Sequence, residues 1–203
     1  MIDDKRDIII SEGVSVEVYG VDYAVSTIAI IGRASTSTAT LIALESHRRA
    51  NFLPEVPMPC GSTVYNNVTN ERYVIISTFE EVLEGEKATT VCIMYLCNAS
   101  LTVSAIVEDA DEDGNIDYKP VDKYKDVPVH IAQVNADLRQ MDPGLSPDAE
   151  YVIYMTGYDL DILDKFVVKK GSRELPLKVL SCDYFVFDGA VQIQAATETR
   201  RQE

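Results

Sequence analysis

The chain has 203 residues, 46% of them hydrophobic, enough for one large β domain or two small ones with separate cores. Its 33 acidic and 18 basic residues give a net charge of -15, which argues against binding duplex nucleic acid through lysine and arginine. No apolar run approaches the roughly 20 residues of a membrane-spanning helix, and the charged residues 1–7 lack a signal-peptide core. We therefore expect a product of the cytoplasm with no membrane partner.

Most of the chain alternates apolar and polar residues with a period of two, the pattern of half-buried β-strands. Four stretches follow it, and in chain order they are residues 14–19, 101–107, 127–131 and 191–195. In the second stretch, Ile106 is the one apolar residue on an otherwise polar face. Denser apolar runs predict more deeply buried strands, and these runs are residues 23–31, 73–79, 91–97, 151–155 and 179–187.

Residues 38–50 are different, because they are rich in Ala and Leu and contain no Gly or Pro. Leu41 and Leu44 lie three residues apart, and so they would share one face of a helix. Three prolines follow, at positions 54, 57 and 59, and proline ends a helix. The sequence therefore predicts one helix of about three turns within an insert that spans residues 33–59.

The predicted fold is all-β, with one or two small barrels or sandwiches and the single helical insert near residues 38–50. Hairpin turns are expected at Asn66-Asn67, Thr69-Asn70-Glu71 and Asp188-Gly189. The charged stretch 108–126 breaks the strand pattern and is expected to separate two domains. We place an N-terminal β domain at residues 1–122 and a C-terminal one at 123–203, with a single domain as the alternative. No internal repeat is evident.

Catalytic motifs are missing from the sequence. His47 falls in the predicted helix, and His130 alternates with Val129 and Ile131, which places it on a solvent-facing side. The chain has no HExxH motif, GxSxG elbow, phosphate-binding glycine loop or dinucleotide fingerprint. The four cysteines match no zinc pattern and are expected to be reduced core thiols; they are Cys60, Cys92, Cys97 and Cys182. We expect no enzyme, no catalytic residue and no cofactor.

One segment resembles part of a calcium loop. Residues 109–117 match the first nine positions of an EF-hand loop, with carboxylates at Asp109, Asp111, Asp113 and Asp117. The twelfth position should be a bidentate Glu but is Pro120, and a strand rather than a helix is predicted before the loop. A solvated hairpin tip is therefore the preferred interpretation, and a looser calcium site on these four residues is the alternative.

Three segments resemble the head-closure, or stopper, proteins of tailed bacteriophages. Residues 71–77 (ERYVIIS) are similar to a G-x-x-Y-L-V strand, and residues 95–98 (YLCN) to a leucine-cysteine-asparagine strand end. Residues 113–120 are similar to a D-G-N-I-x-x-Y-P segment, with one additional residue between Tyr118 and Pro120. The likeness extends to residues 161–166, 177–179 and 188–191.

This resemblance implies a structural virion protein in the phage neck, assembled in the host cytoplasm. Such a protein forms a ring of its own copies between the portal or adaptor and the tail-terminator or tail-tube proteins. The ring closes the DNA exit channel, and DNA passes through it without specific binding. Extended arms are candidates for subunit contacts, and residues 1–7 and 197–203 are the expected arms. The alternatives are a tail-terminator, tail-tube or baseplate component and, from another class, a calcium-dependent β-domain binding module.

Overall fold

The structure is a computed structural model, and it describes residues 2–33, 46–110 and 116–198. These residues form two helices and twelve strands. In chain order the elements are α1 (Ile2–Glu12), β1 (Val14–Tyr19), β2 (Ala24–Arg33), β3 (His47–Phe52), β4 (Thr63–Asn66), β5 (Arg72–Leu83), β6 (Glu86–Leu96), β7 (Ala99–Ala110), β8 (Ile116–Gln133), α2 (Ala136–Met141), β9 (Tyr151–Thr156), β10 (Lys165–Lys170), β11 (Arg173–Asp183) and β12 (Ala190–Thr197).

The strands form two closed six-stranded barrels, which confirms the predicted all-β fold with two small barrels. The first barrel has the strand order β1-β2-β3-β6-β5-β4, and the second has β7-β8-β9-β12-β11-β10. The order is therefore the same in both, although the sequence shows no repeat. Every strand pair is antiparallel. Closure leaves no free sheet edge around either barrel wall.

The division between the barrels lies earlier than we expected. Cys97 and Asn98 join β6 of the first barrel to β7 of the second, whereas the expected boundary at 122/123 falls inside β8. The charged stretch 108–126 is not a linker, because its described residues belong to the β7–β8 hairpin. High charge was a misleading signal, since a hairpin that extends into solvent carries charge as readily as a linker does.

Each barrel has its own apolar core. In the first, the inward residues of β1 are Val16 and Val18, and they meet Phe52 and Met94 from strands β3 and β6. In the second, Phe166 and Leu101 pack with Ile153 and Ile193. All of these side chains except Phe52 and Phe166 come from sequence stretches that we predicted as strands, either from their alternation or from their density of apolar residues. The periodicity thus predicted most of both cores.

The predicted helix at 38–50 is wrong where the structure describes it. Residues 38–45 lie outside the described residues, and His47–Phe52 is strand β3, paired with β2 and β6. Ala50 and Phe52 point into the first core and are fully buried. Pairing on both sides and burial outweigh the helix propensity of the Ala- and Leu-rich segment, since tertiary contacts routinely override local preference.

The expected arm at residues 1–7 is also wrong, because Ile2–Glu12 is helix α1. Ile9 is buried against the outside of the first barrel, in a recess that Ile30, Asn51 and Thr89 help to line. The Lys5 ammonium lies 2.7 Å from the Glu81 carboxylate and ties the helix to β5. Of the other expected arm, Thr197 belongs to β12 and pairs with Leu177, and residues 199–203 lie outside the described residues.

The two barrels touch through backbone rather than through side chains at one point. Gly61 has φ +80°, and a Cβ added to it would lie 1.6 Å from the Gly189 carbonyl oxygen. The same oxygen accepts a hydrogen bond of 2.9 Å from the Gly157 amide. Thr63 and Thr156 complete the contact, with their hydroxyl oxygens 3.4 Å apart. Only glycine combines this backbone conformation with so close an approach.

This contact predicts a specific effect of adding one methyl group. Gly61→Ala should lower the free energy of unfolding by about 2 kcal/mol more than Gly85→Ala. Gly85 is the matched control because it has φ +87° with nothing within 4 Å of its added Cβ, so it bears only the backbone cost of about 1 kcal/mol. Chemical denaturation of both variants measures the difference, and equal losses would mean that the barrels do not meet at Gly61.

Candidate assembly surface

The two histidines lie at the junction of the barrels, not where the sequence placed them. His130 was expected on a solvent-facing side and is 4% exposed; His47 was expected in a helix and is a buried residue of β3. Both pack on Tyr95, with ring centroids 4.4 Å apart for His47 and 4.9 Å for His130. The ring centroid of Tyr154, in the second barrel, lies 4.7 Å from that of Tyr95 and 5.9 Å from that of Phe187. The outward-facing side chains of His47 in β3 and Tyr95 in β6 are therefore covered by the second barrel, and that of His130 in β8 by the first.

Hydrogen bonds lock this aromatic junction. His130 Nδ1 lies 2.8 Å from the Leu96 carbonyl oxygen, and an Nδ1–H tautomer donates to it. The Asn98 side chain accepts from the Ile131 amide and donates to the Ile131 carbonyl, both at 2.9 Å. Burial lowers the pKa of His130, and the nearby His47 and Lys170 add smaller electrostatic contributions in the same direction. The imidazole is thus a neutral structural group, and its surroundings are aromatic rings and backbone.

The lowered pKa of His130 predicts acid sensitivity. Below about pH 6.5 an unfolded histidine takes up a proton, whereas the folded chain resists protonating His130. The unfolded state then binds more protons, and stability falls as pH falls. The melting temperature should therefore drop between pH 7.5 and pH 5.5, and His130→Gln should weaken that dependence while keeping a hydrogen-bonding side chain. Thermal melts of both proteins at three pH values test this, and identical pH profiles would contradict it.

Three of the four cysteine thiols lie in surroundings that disfavour the thiolate. All four cysteines are free thiols, and burial raises the pKa of Cys92 and of Cys97 to about 12 and that of Cys182 to about 11. Such thiols are poor nucleophiles near neutral pH. Within residues 2–33, 46–110 and 116–198, no group of three or more His, Cys, Asp or Glu side chains is placed to hold a metal ion.

The candidate calcium loop is only partly within the described chain. The backbones of Asp109 and Asp117 are paired across β7 and β8, so the described ends of the segment belong to the β7–β8 hairpin. Asp111 and Asp113 lie outside the described residues. The calcium-site alternative therefore stays a prediction.

The β7–β8 hairpin extends far beyond the wall of the second barrel. β10 pairs with β7 only from Ser100 to Ser104, and β9 pairs with β8 only from His130 to Gln133. Residues 105–110 and 116–124 pair only with each other among the described residues. We call this two-stranded extension the ribbon. Both of its edges carry backbone groups that no strand of the described chain pairs, which is a template for strand addition.

Apolar side chains occupy both faces of the ribbon. Ile106 opposes Pro120 on one face, with Tyr118 diagonal to it, and Val107 shares the other face with Val121. All four large apolar side chains are exposed: Ile106 57%, Val107 47%, Tyr118 60% and Val121 54%. A two-stranded hairpin is marginally stable in water by itself, and strands that are apolar on both sides normally lie between two packing layers.

Two loops add further apolar surface at the same end of the second barrel. The β9–β10 loop exposes Ile162 and Leu163, and the β11–β12 loop exposes Phe185 and Val186, of which Phe185 is 99% exposed. The Tyr184 hydroxyl joins the loops, because it donates to the Tyr158 carbonyl at 2.9 Å and accepts from the Leu160 amide at 3.0 Å. We call the ribbon and these two loops the apolar end.

Polar contacts fix the base of the ribbon to the barrel. The Lys123 ammonium lies 3.1 Å from the largely buried Asp164 carboxylate, and this hydrogen bond raises the pKa of Lys123. The Ser104 hydroxyl donates to Asp122 at 2.8 Å. The Tyr124 ring stacks on Tyr158 with centroids 4.5 Å apart. The ribbon therefore leaves the barrel in a defined direction.

A second surface feature lies at the opposite end of β7. A cleft of about 530 Å³ opens beside the Cys97-Asn98 connection, and three of its lining residues are the exposed cations Arg72, Lys169 and Lys170. We call it the basic cleft. Glu71 also lines it, with its carboxylate accepting hydrogen bonds from the Tyr73 and Thr69 hydroxyls at 2.5 and 2.9 Å. Because the chain carries a net charge of -15, a locally positive cleft is unusual for its surface.

Sequence reasoning missed both surface features, although one left a signal. Ile106 interrupts the polar face of the strand at 101–107, and it is one of the exposed apolar residues of the ribbon. The basic cleft left no such signal, because Arg72 is about 97 residues distant in sequence from Lys169 and only the packing of the barrels brings them together.

No known protein family matches the chain, and no curated protein is detectably related to it in sequence. Among solved structures, one described as "MrkH, A novel c-di-GMP dependence transcription regulatory factor" aligns with a TM-score of 0.25 at 6% identity, covering 98% of this chain and 83% of MrkH. K. pneumonia MrkH in its apo state aligns with a TM-score of 0.26 at 7% identity, covering 98% and 84%. Likenesses at this level carry no argument about function. Among the described residues, no helix is long and apolar enough to cross a membrane.

Proposed function

We propose that this protein is a structural component of a tailed-phage neck, where a ring of its copies joins the portal or adaptor to the tail and closes the DNA exit channel. The observation that carries the proposal is the apolar end, where a ribbon with apolar residues on both faces projects from a locked pair of barrels. A surface of this kind marks a protein–protein contact. The resemblance of residues 71–77, 95–98 and 113–120 to head-closure proteins supports the neck as its location.

The rest of the chain is consistent with an assembly role. The buried residues with reactive side chains are structural: His130 bonds to backbone, and Cys92 is a core thiol. A ring around DNA must let the duplex pass, and the excess of 15 negative charges repels phosphates rather than binding them. We therefore propose that DNA traverses the ring without specific contacts, and that the protein has no catalytic activity.

Particle reconstitution tests this function. The purified full chain is mixed with portal complexes or with tail tubes from a tailed phage and examined by native mass spectrometry and electron microscopy. A ring on the portal is the expected result. Stacking on tail tubes alone would favour a tail-terminator or tail-tube component. Binding to neither would overturn the proposal, and a melting temperature raised by calcium would then favour the calcium-dependent module.

Substitutions in the ribbon should separate assembly from folding. Ile106→Asp combined with Val121→Asp should change the free energy of unfolding by less than about 1 kcal/mol, because both side chains are already exposed. The same variant should fail to form the ring, since two carboxylates would then need burial in the subunit contact.

Ile10→Asp is the matched control, because Ile10 is 54% exposed and belongs to helix α1, which packs on strands β2 and β6 of the first barrel. It should assemble as the unaltered chain does. Normal rings from the ribbon variant, or a loss shared equally by the Ile10 variant, would show that the ribbon is not the contact.

A further inference from the structure

Beyond the assembly role and independently of it, we propose that one end of the second barrel binds a medium-chain fatty acid, with the alkyl chain inside the barrel and the carboxylate at two cations on the rim. The site is a groove of about 390 Å³, which we call the barrel mouth. It lies at the end opposite the ribbon, because Gln133 lines it at the last residue of β8, whereas the ribbon contains the first residues of the same strand.

The walls of the barrel mouth are inward-facing positions of four strands. Ile131 of β8, Tyr151 of β9, Val168 of β10 and Leu175 of β11 line it, and all four belong to the second core or pack against it. Around the barrel, β7 and β12 separate the pair β8–β9 from the pair β10–β11. A groove that both pairs line therefore crosses the end of the barrel and does not lie on its outer wall.

Two cations continue the inward face to the rim of the mouth. Lys170 follows Val168 by two residues and Arg173 precedes Leu175 by two, so alternation gives them the same inward face. They are direct cross-strand partners in the β10–β11 hairpin, and like charges in that arrangement repel each other. Neither forms an ion pair with another residue that the structure describes. An anion between them would offset this repulsion.

One carboxylate also borders the barrel mouth. Glu174 occupies an outward-facing position, and its carboxylate lies 3.5 Å from the ammonium of Lys169, its cross-strand partner. These two charges balance each other, so Lys170 and Arg173 give the mouth a local positive charge on a chain whose net charge is -15. The local charge therefore favours an anionic ligand over a neutral or cationic one.

The walls determine what the rest of the ligand must be. The volume of the mouth lies within the range of roughly 300–1,000 Å³ that is usual for small-molecule sites, and the mouths of β-barrels are common places for them. A sugar or a nucleobase would leave hydrogen-bonding groups without partners against Ile131, Val168 and Leu175, which is costly. An unbranched alkyl chain has no such groups, and its terminal carboxylate can accept a bidentate contact from Arg173 at the rim.

Isothermal titration calorimetry of the full chain with decanoate tests the site. From hexanoate to decanoate the affinity should rise about fourfold for each added methylene, because each one leaves water for the apolar walls. Decan-1-ol has the same chain with a neutral head, and it should bind at least about tenfold more weakly.

A charge variant tests the rim. Arg173→Glu should weaken decanoate binding at least about tenfold, because it replaces the cation that holds the head group by a carboxylate. Lys178→Glu is the matched control, since Lys178 is an exposed, outward-facing residue of the same strand, and it should bind decanoate as the unaltered chain does. Arg173 is the residue of choice because Lys170 also lines the basic cleft. Thermal melts check that both variants are folded.

Methyl NMR of the full chain locates the ligand. Decanoate should shift the methyl resonances of Ile131, Val168 and Leu175, which line the mouth. The methyl resonances of Ile75 should not move, because Ile75 is buried in the core of the first barrel.

The outcomes separate this site from the proposed function. Saturable binding with these dependences on chain length, head group and Arg173 supports the barrel mouth as a fatty-acid site. No saturable binding of decanoate up to about 1 mM, equal affinity for decan-1-ol, or shifts confined to other methyl groups would overturn it. If decanoate does not bind but Arg173→Glu prevents ring formation on the portal, the mouth is a protein contact and the fatty-acid site is wrong. The binding measurements need no portal, so their failure leaves the neck role standing.

Discussion

The rest of the structure depends on the locked contact between the two barrels. At Gly61 and Gly189 the backbones approach so closely that no side chain fits between them. At the aromatic junction, His130 bonds to the Leu96 carbonyl and the Asn98 side chain bonds to the Ile131 backbone. These contacts hold the barrels in one arrangement because a shift would leave buried hydrogen-bonding groups without partners, which is costly. Two small domains joined by a two-residue connection thus behave as one unit.

That arrangement determines what the surface offers. Closing each barrel removes the sheet edges along its wall. Free edges remain where hairpins continue beyond their outer neighbours, as β5 and β6 do in the first barrel and as β7 and β8 do in the ribbon. The Lys123–Asp164 ion pair and the Tyr124–Tyr158 stack fix the base of the ribbon. The basic cleft, formed where the barrels meet, lies at the other end of β7. The described chain thus presents chemically different surfaces at the two ends of β7, one basic and one apolar.

The surface chemistry separates folding from assembly. The cores are filled by residues such as Phe52 and Phe166, which are fully buried within a single chain, so the fold does not require a partner to complete it. The ribbon, by contrast, is not covered within the described chain, since Ile106 and Tyr118 remain more than half exposed. Backbone groups along its two edges are not paired with any strand of the described chain. The same hydrophobic effect that closes each barrel therefore favours covering the ribbon once a matching surface is presented.

The sequence by itself determined most of the strands and the all-β class, because alternation at Val16 and Val18 or at Val191 and Ile193 records which face of a strand is buried. The sequence also contains one sign of the ribbon, because Ile106 is the one apolar residue on an otherwise polar strand face. Tertiary structure alone decided that residues 47–50 are strand, that His130 is buried, and that Arg72 and Lys169 line one cleft. Those outcomes depend on contacts between segments far apart in the chain, and a local pattern reports a residue's own face but not what packs against it.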